Sequence, residues 1–281
     1  MAQFERSEQE RKGEEFAALH QGPRAFVVPN PWDAGTTRAL SGMGFSALAT
    51  TSGGLAHGLG RPDGAGRVSR DETLSNVRRI VEAVDIPVSA DLENGFGHDP
   101  GVVEETVLEA ARAGAVGGSI EDATGRADDP IYGFDEAVRR VEAAVEAARS
   151  LPFRFTLTAR AENFLHGRPD LDDTIARLRA YERAGADVLY APALPDADAI
   201  RAVCESVDRP VNVLAGGAAR QLSVDELGEL GVRRISLGST LSRAAMSAFV
   251  HAARHIVEFG TFPDMSGVLS GADINDVLGA P

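Results

Sequence analysis

Cysteine and lysine are almost missing from this sequence, and each shortage removes a class of chemistry. Cys204 is the one cysteine in 281 residues. An intramolecular disulfide and a cysteine-built metal cluster are therefore excluded, and a reducing, cytoplasmic setting is expected. Lys12 is the one lysine. It lies in a polar N-terminal segment, ahead of any core pattern. That excludes a Schiff base on a barrel strand, and with it lysine-dependent aldolase and pyridoxal phosphate chemistry. Cations are also in deficit, 28 against 42 acids, for a net charge of −14. Nucleic acid and anionic membrane are disfavoured as partners, because phosphate backbones are bound by clustered cations. A small anionic substrate stays open, since a metal ion reverses the local sign. No apolar run reaches the ~20 residues that span a bilayer. The opening stretch, MAQFERSEQERKGEEF, lacks the apolar core of a secretory signal.

What is present is an alternation. Short apolar strands are read at Ala25–Pro29, Ala47–Thr51, Pro87–Asp91, Val116–Glu121, Arg154–Arg160, Val188–Ala191, Pro210–Leu214 and Arg234–Leu237. Their Val, Ile, Leu and Ala content suits parallel strands buried on both faces. Helical stripes lie between them, for example Leu74, Val77, Val81 and Val84, then Val138, Val141, Val145 and Ala148. Ser69 with Glu72 and Ser223 with Glu226 have capping-box spacing. Gly44, Gly114 and Gly185 stand where helices should end. Eight strand–helix units in one chain of this length predict an α/β fold, a (β/α)8 TIM barrel over residues 25–259. A helical extension is expected over 1–24 and a tail over 260–281.

In such a barrel, chemistry sits at the carboxyl ends of the strands. Asp91 and Glu93 flank the end of the third strand, Glu121 and Asp122 the end of the fourth. Helix capping would explain any one of these acids; their convergence from adjacent strands favours a divalent cation, Mg²⁺ or Mn²⁺, that relieves mutual repulsion. Thr51-Ser52-Gly53-Gly54 offers hydroxyls and close N–H groups to a carboxylate or phosphate, and a tight turn would account for it equally. Arg160 is a permanent cation suited to a developing oxyanion, or else the structural partner of Glu162. The segment 123–134, ATGRADDPIYGF, is long enough for a lid. Gly216-Gly217 and Gly238 follow the last two strands, where many barrels bind phosphate. Cys204 falls on a helical stripe with Ile200 and Val207 and reads as packing.

In order along the chain, Ser52-Gly53-Gly54, Gly60-Arg61-Pro62-Asp63, Asp91-Leu92-Glu93-Asn94-Gly95-Phe96-Gly97, Ile120-Glu121-Asp122 and Thr158-Ala159-Arg160 resemble the isocitrate lyase/phosphoenolpyruvate mutase superfamily. The resemblance runs from about residue 25 to 260. It implies a Mg²⁺ ion with Asp91 as nearest ligand, and Asp63, Glu93 and Glu121 holding its waters. It also implies Thr51, Ser52 and Gly53 at the substrate carboxylate, Asn30 and Trp32 lining the pocket, and Arg160 balancing an enolate oxygen. Homo-oligomers, dimers or tetramers, that exchange the eighth helix follow from it too. The sequence departs from the superfamily at the lid, which has no Cys, Lys or His, and Glu93 replaces a more usual Asp. The expected function is a metal-dependent carbon–carbon lyase on a small 2-oxo or 2-hydroxy di- or tricarboxylate, with Arg160, Glu121 and Asp63 as its catalytic side chains. The alternatives are a mutase or hydrolase of P–C bonds, a sugar-phosphate barrel, and a catalytically degenerate ligand-binding member.

Overall fold

The computed structural model describes residues 2–264 and 266–279. Eight strands alternate with helices. The first half runs α1 (Ala2–Leu19), β1 (Phe26–Val28), α2 (Ala34–Gly42), β2 (Leu48–Ala49), α3 (Ser52–Gly58), α4 (Arg70–Glu82), β3 (Val88–Asp91), α5 (Pro100–Arg112), β4 (Gly117–Glu121) and α6 (Phe134–Ser150). The second half runs β5 (Thr156–Arg160), α7 (Leu171–Ala184), β6 (Val188–Tyr190), α8 (Ala197–Glu205), β7 (Val211–Leu214), α9 (Val224–Glu229), β8 (Arg234–Ser236), α10 (Thr240–Phe259) and α11 (Gly271–Val277). All pairings are parallel, in the order β1-β8-β7-β6-β5-β4-β3-β2. The Ala49 N–H donates to the Pro29 carbonyl at 3.1 Å and brings the two ends of the sheet together. The fold is the expected (β/α)8 barrel.

Local signals account for the boundaries. Ser69 with Glu72 and Ser223 with Glu226 form complete capping boxes. Gly44, Gly114 and Gly185 all have positive φ, which glycine reaches without steric cost. One stretch differs from the sequence reading. Ser52-Gly53-Gly54 does not form a loop but starts helix α3, because Thr51 Oγ1 accepts from the Gly54 N–H and caps it. The same capping explains why β2 is only two residues long.

Small residues set the packing. Ala110, Ala111, Ala144, Ala147 and Ala148 are buried where α5 and α6 meet outside β3–β5. At the opposite end from the carboxyl termini of the strands, Phe16 of α1 is fully buried among Val28, Ala47 and Val116. Lys12 pins the same helix through the Val84 carbonyl at 3.2 Å and Asp85 at 3.4 Å, which gives the one lysine a structural role. Cys204 packs against Gly231, and burial pushes its thiol up to about 12, far from a working acid or nucleophile. Helix α10 behaves otherwise: Ser242 is its one buried residue, while Met246, Phe249, Ile256, Val257 and Phe259 are exposed.

Gly117 has no room for a side chain, since a Cβ there would lie 2.8 Å from both the Phe16 ring and the Thr156 carbonyl oxygen. Gly117→Ala should therefore lower unfolding stability by about 1–3 kcal/mol through overpacking. Urea unfolding measures this, and a variant as stable as wild type would contradict the packing of α1 against the strand.

Candidate active site

A cavity of about 710 Å³ opens at the carboxyl ends of the strands. Its wall includes Ser52, Asp63, Glu93, Glu121, Arg160 and Glu162. Arg160 ends β5 and ties three carboxylates together. Its Nη1 lies 3.2 Å from Asp91 and 3.0 Å from Glu121, and its Nε donates to Glu162 at 2.9 Å. The guanidinium also sits 5.0 Å from the centre of the Tyr190 ring. Asp91 is oriented independently. Its Oδ2 accepts from the Ser52 N–H at 3.0 Å, and its own N–H donates to Thr50 Oγ1 at 2.8 Å.

The acids outnumber the cation, and burial raises their proton affinities. Burial first, then Asp91 and Asp63, push Glu93 up to about 7. Burial pushes Glu121 well above the usual carboxylate range, despite the opposing pull of Arg160. Asp63 is raised by burial and by Asp91. Glu162 is raised to about 7 by burial, against Arg160. Removing water disfavours the ionised form of each of these acids.

Among the described residues, no three His, Cys, Asp or Glu side chains stand close enough to enclose a metal ion between them. The donor set instead fits a hard cation held through one carboxylate, with water and substrate oxygens completing the shell, as Mg²⁺ prefers. Asp91 would be the direct ligand, and Asp63, Glu93 and Glu121 would hold its waters. The excess of carboxylates over cations around the cavity is the feature of the fold that fits such an ion.

Other expected residues serve the scaffold. Asp122 does not face the cavity. It is buried and accepts from Arg177 at 2.9 Å, Tyr181 at 2.7 Å and the Glu162 N–H at 2.8 Å, so it fixes the backbone beside Arg160. Of Thr51, Ser52 and Gly53, only Ser52 is part of the cavity wall. Thr51 caps α3, and a Cβ on Gly53 would meet Asp63 Oδ2 at 2.6 Å, so this glycine lets α3 approach Asp63. Asn30 and Trp32 stand behind the wall. Asn30 donates to the Thr50 carbonyl at 3.0 Å and accepts from the Leu237 and Gly238 N–H groups at 2.8 and 2.9 Å. Those two amides are thereby occupied, which works against a phosphate cradle after β8.

Two loops shape the entrance. After β3 the backbone is left-handed at Glu93, Gly95 and Phe96, with φ of 48°, 84° and 62°. Non-glycine residues there cost about 1–3 kcal/mol each and persist only when surrounding contacts impose them. Buried Arg140 supplies those contacts, donating to the carbonyls of Asn94, Gly97 and His98 while stacked 4.2 Å from the Tyr132 ring centre. The segment expected as a lid is a compact hairpin. Ala123 bridges Ile131, the Thr124 N–H donates to the Pro130 carbonyl, and Arg126 pairs with Asp129 at 2.6 Å. Its tip, Thr124–Arg126, lines the cavity.

Two cavity residues, His98 and His166, escape a search for histidines by spacing along the chain. The signal that finds them is position: each lies in the loop after a strand that ends in a site residue, Asp91 on β3 and Arg160 on β5 respectively.

Comparison with known proteins follows the same lines. The family model described as phosphoenolpyruvate phosphomutase matches residues 16–257. A crystal structure of a candidate lyase/mutase from Burkholderia cenocepacia J2315 is 58% identical, with a TM-score of 0.93 over 98% of each chain. The 2-methylisocitrate lyase of Escherichia coli K12 is 31% identical over 263 residues, 87% of each chain. A phosphonopyruvate hydrolase crystallised with oxalate and Mg²⁺ shares the fold, at 23% identity and a TM-score of 0.83 over 95% of each chain. The chain belongs to the phosphoenolpyruvate phosphomutase family and is an enzyme of the isocitrate lyase/phosphoenolpyruvate mutase superfamily.

Proposed function

We propose that this enzyme is a Mg²⁺-dependent carbon–carbon lyase acting on a small 2-oxo or 2-hydroxy di- or tricarboxylate. The observation that carries the reading is Arg160, a partly buried cation gripped by Asp91, Glu121 and Glu162 in an acidic cavity. Bound Mg²⁺, held by Asp91, would supply Lewis acidity toward the substrate's oxygens. Arg160 places a permanent positive charge where negative charge develops on a substrate oxygen as the bond breaks. Glu121 and Asp63, with raised proton affinity, are suited to take a proton from a substrate hydroxyl. The hairpin after β4 limits other chemistry. Its cation, Arg126, is already paired with Asp129, which leaves little to grip a migrating phosphoryl group. P–C bond chemistry is the alternative that the same barrel allows.

The exposed apolar residues of α10 support a homo-oligomer in which a second copy covers that helix. No described helix is long and apolar enough to cross a membrane. A soluble, cytoplasmic enzyme with no nucleic-acid partner remains our reading, on the single free cysteine and the charge of −14.

Mg²⁺ at about 100 times its dissociation constant should stabilise the fold by about 2.7 kcal/mol, a rise in melting temperature of roughly 5 °C. Asp91→Ala should abolish that rise. Equal metal binding by the variant in calorimetry would remove Asp91 from the site.

A panel of substituted malates, isocitrate, oxaloacetate and phosphonopyruvate, coupled to a 2-oxo acid assay, tests the reaction. Release should come from a carbon acid, stop with chelator and be inhibited by oxalate, while isocitrate and phosphonopyruvate should be slow. Arg160→Ala should lower kcat by about 100-fold or more with a smaller change in metal affinity. Arg160→Lys, which keeps the charge but loses the fork, covers the case in which alanine unfolds the site. Efficient turnover of phosphonopyruvate alone would move the enzyme to P–C chemistry.

A further inference from the structure

Each carbon–carbon cleavage of this kind leaves an electron pair on carbon, and something must protonate it. The described residues narrow the choice. The hairpin after β4 contains no Cys, Lys or His. Cys204 is packed in α8, away from the cavity wall. The Tyr190 phenol is buried and pushed up to about 12, chiefly by that burial. His98 is held by a hydrogen bond between Nδ1 and the Tyr132 hydroxyl at 2.6 Å and packs edge-on to that ring.

Glu162 has one carboxylate oxygen in use and one without a partner. Oε1 accepts from Arg160, while Oε2 is buried and makes no hydrogen bond among the described residues. A buried, unsatisfied carboxylate oxygen is costly unless it meets a donor at some stage. The nearest ring nitrogen is His166 Nε2, at 3.9 Å. That imidazole is partly open, with about 32% of the side chain exposed, and lines the cavity that holds Arg160 and Glu121. Its loop is fixed by short bonds. The His166 N–H donates to the Glu162 carbonyl at 3.1 Å, the Arg168 N–H to the Asn163 carbonyl at 2.8 Å, and Asn163 Nδ2 to Asp173 at 2.7 Å. The histidine thus stands between an orphaned acid and the cavity.

We propose that His166 is the catalytic acid that protonates the carbon left by the cleavage, with Glu162 as its positioning residue. This rests on the carbon–carbon lyase reading above. The substrate's C–C bond breaks, and its electron pair remains on the α-carbon of the departing carboxylate fragment. The imidazolium N–H bond then breaks, its electrons return to nitrogen, and the proton forms the new C–H bond. In a 2-hydroxy substrate the hydroxyl proton passes to a site carboxylate while C–O becomes C=O. Water equilibrates the two protein groups afterwards, so substrate equals the sum of products. Charged groups close enough to act on the ring are Arg160 at the end of β5, Glu162 just after it, Asp122 after β4, and Arg168 on its own loop. Burial lowers the affinity of His166 for its proton, Arg160 and Arg168 act in the same direction, and Asp122 opposes them. The rate should therefore fall as pH rises through the imidazolium titration, because the acid must be protonated.

The test compares wild type, His166→Asn and Glu162→Gln on the same acid panel with Mg²⁺ across pH, with Mg²⁺–oxalate titration calorimetry alongside. His166→Asn should lower kcat by about 100-fold or more. It should erase the high-pH decline and keep oxalate affinity within about threefold. In D2O, wild type should deuterate one face of the product carbon, and the residual turnover of His166→Asn should lose that selectivity. Glu162→Gln should move the high-pH limb without erasing it. If wild type releases a 2-oxo acid and His166→Asn matches it within threefold, with the same pH limb and the same deuterated face, His166 is not the acid. If wild type releases no 2-oxo acid from any carbon acid of the panel, whatever it does with phosphonopyruvate, the lyase reading fails and the donor role fails with it.

Discussion

Arg160 is the interaction on which the rest of the site depends. Four elements bring carboxylates to one end of the barrel: Asp63 after α3, Asp91 and Glu93 at β3, Glu121 at β4 and Glu162 after β5. Such a group of acids, Glu162 buried and Asp91, Glu93 and Glu121 partly so, repels itself, and one guanidinium bonded to three of them is the main compensation the chain supplies. The compensation is incomplete: burial first, and neighbouring acids after it, still raise the proton affinities of Glu93, Glu121 and Glu162. Residual negative charge is what makes a divalent cation fit. On the proposed reading, a chain with net charge −14 would attract a carboxylate substrate through a metal and one arginine.

The scaffold beneath Arg160 is polar as well. Arg234 inside the barrel donates to Asn212 at 2.8 Å and to Thr158 at 3.0 Å, and Asn212 donates to Ser236 at 3.0 Å. Asp122, with Arg177 and Tyr181, fixes the backbone of Glu162 from the outer side. Arg140 holds the strained loop after β3. Asp122 and Arg140 each position residues that face the cavity, Glu162 for the first and Asn94, Gly97 and His98 for the second, so the site is set by second contacts as much as by its own side chains.

Much of this was legible in the sequence, for identifiable reasons. The eight strands show as short apolar runs, and the capping boxes at Ser69 and Ser223 mark helix starts where they occur. Asp91, Glu121 and Arg160 stand at strand ends, so the barrel rule alone brings them together. What stayed hidden depends on three-dimensional contacts. Asp122 follows Glu121 directly, yet alternation along the strand turns it away to meet Arg177 and Tyr181. Ser52-Gly53-Gly54 has the composition of a turn, and the cap at Thr51 makes it a helix. Asn30 looks like a pocket residue and serves instead as a tie between β2 and the loop after β8. His98 and His166 are 68 positions apart and share one cavity, which no local spacing reveals.

The most direct measurement is a crystal structure with Mg²⁺ and oxalate, a mimic of a 2-oxo acid enolate. The account predicts the ion on Asp91, with its waters on Asp63, Glu93 and Glu121, and oxalate chelating the ion beside Arg160. A metal bound away from Asp91, or oxalate seated with no contact to either the metal or Arg160, would contradict it.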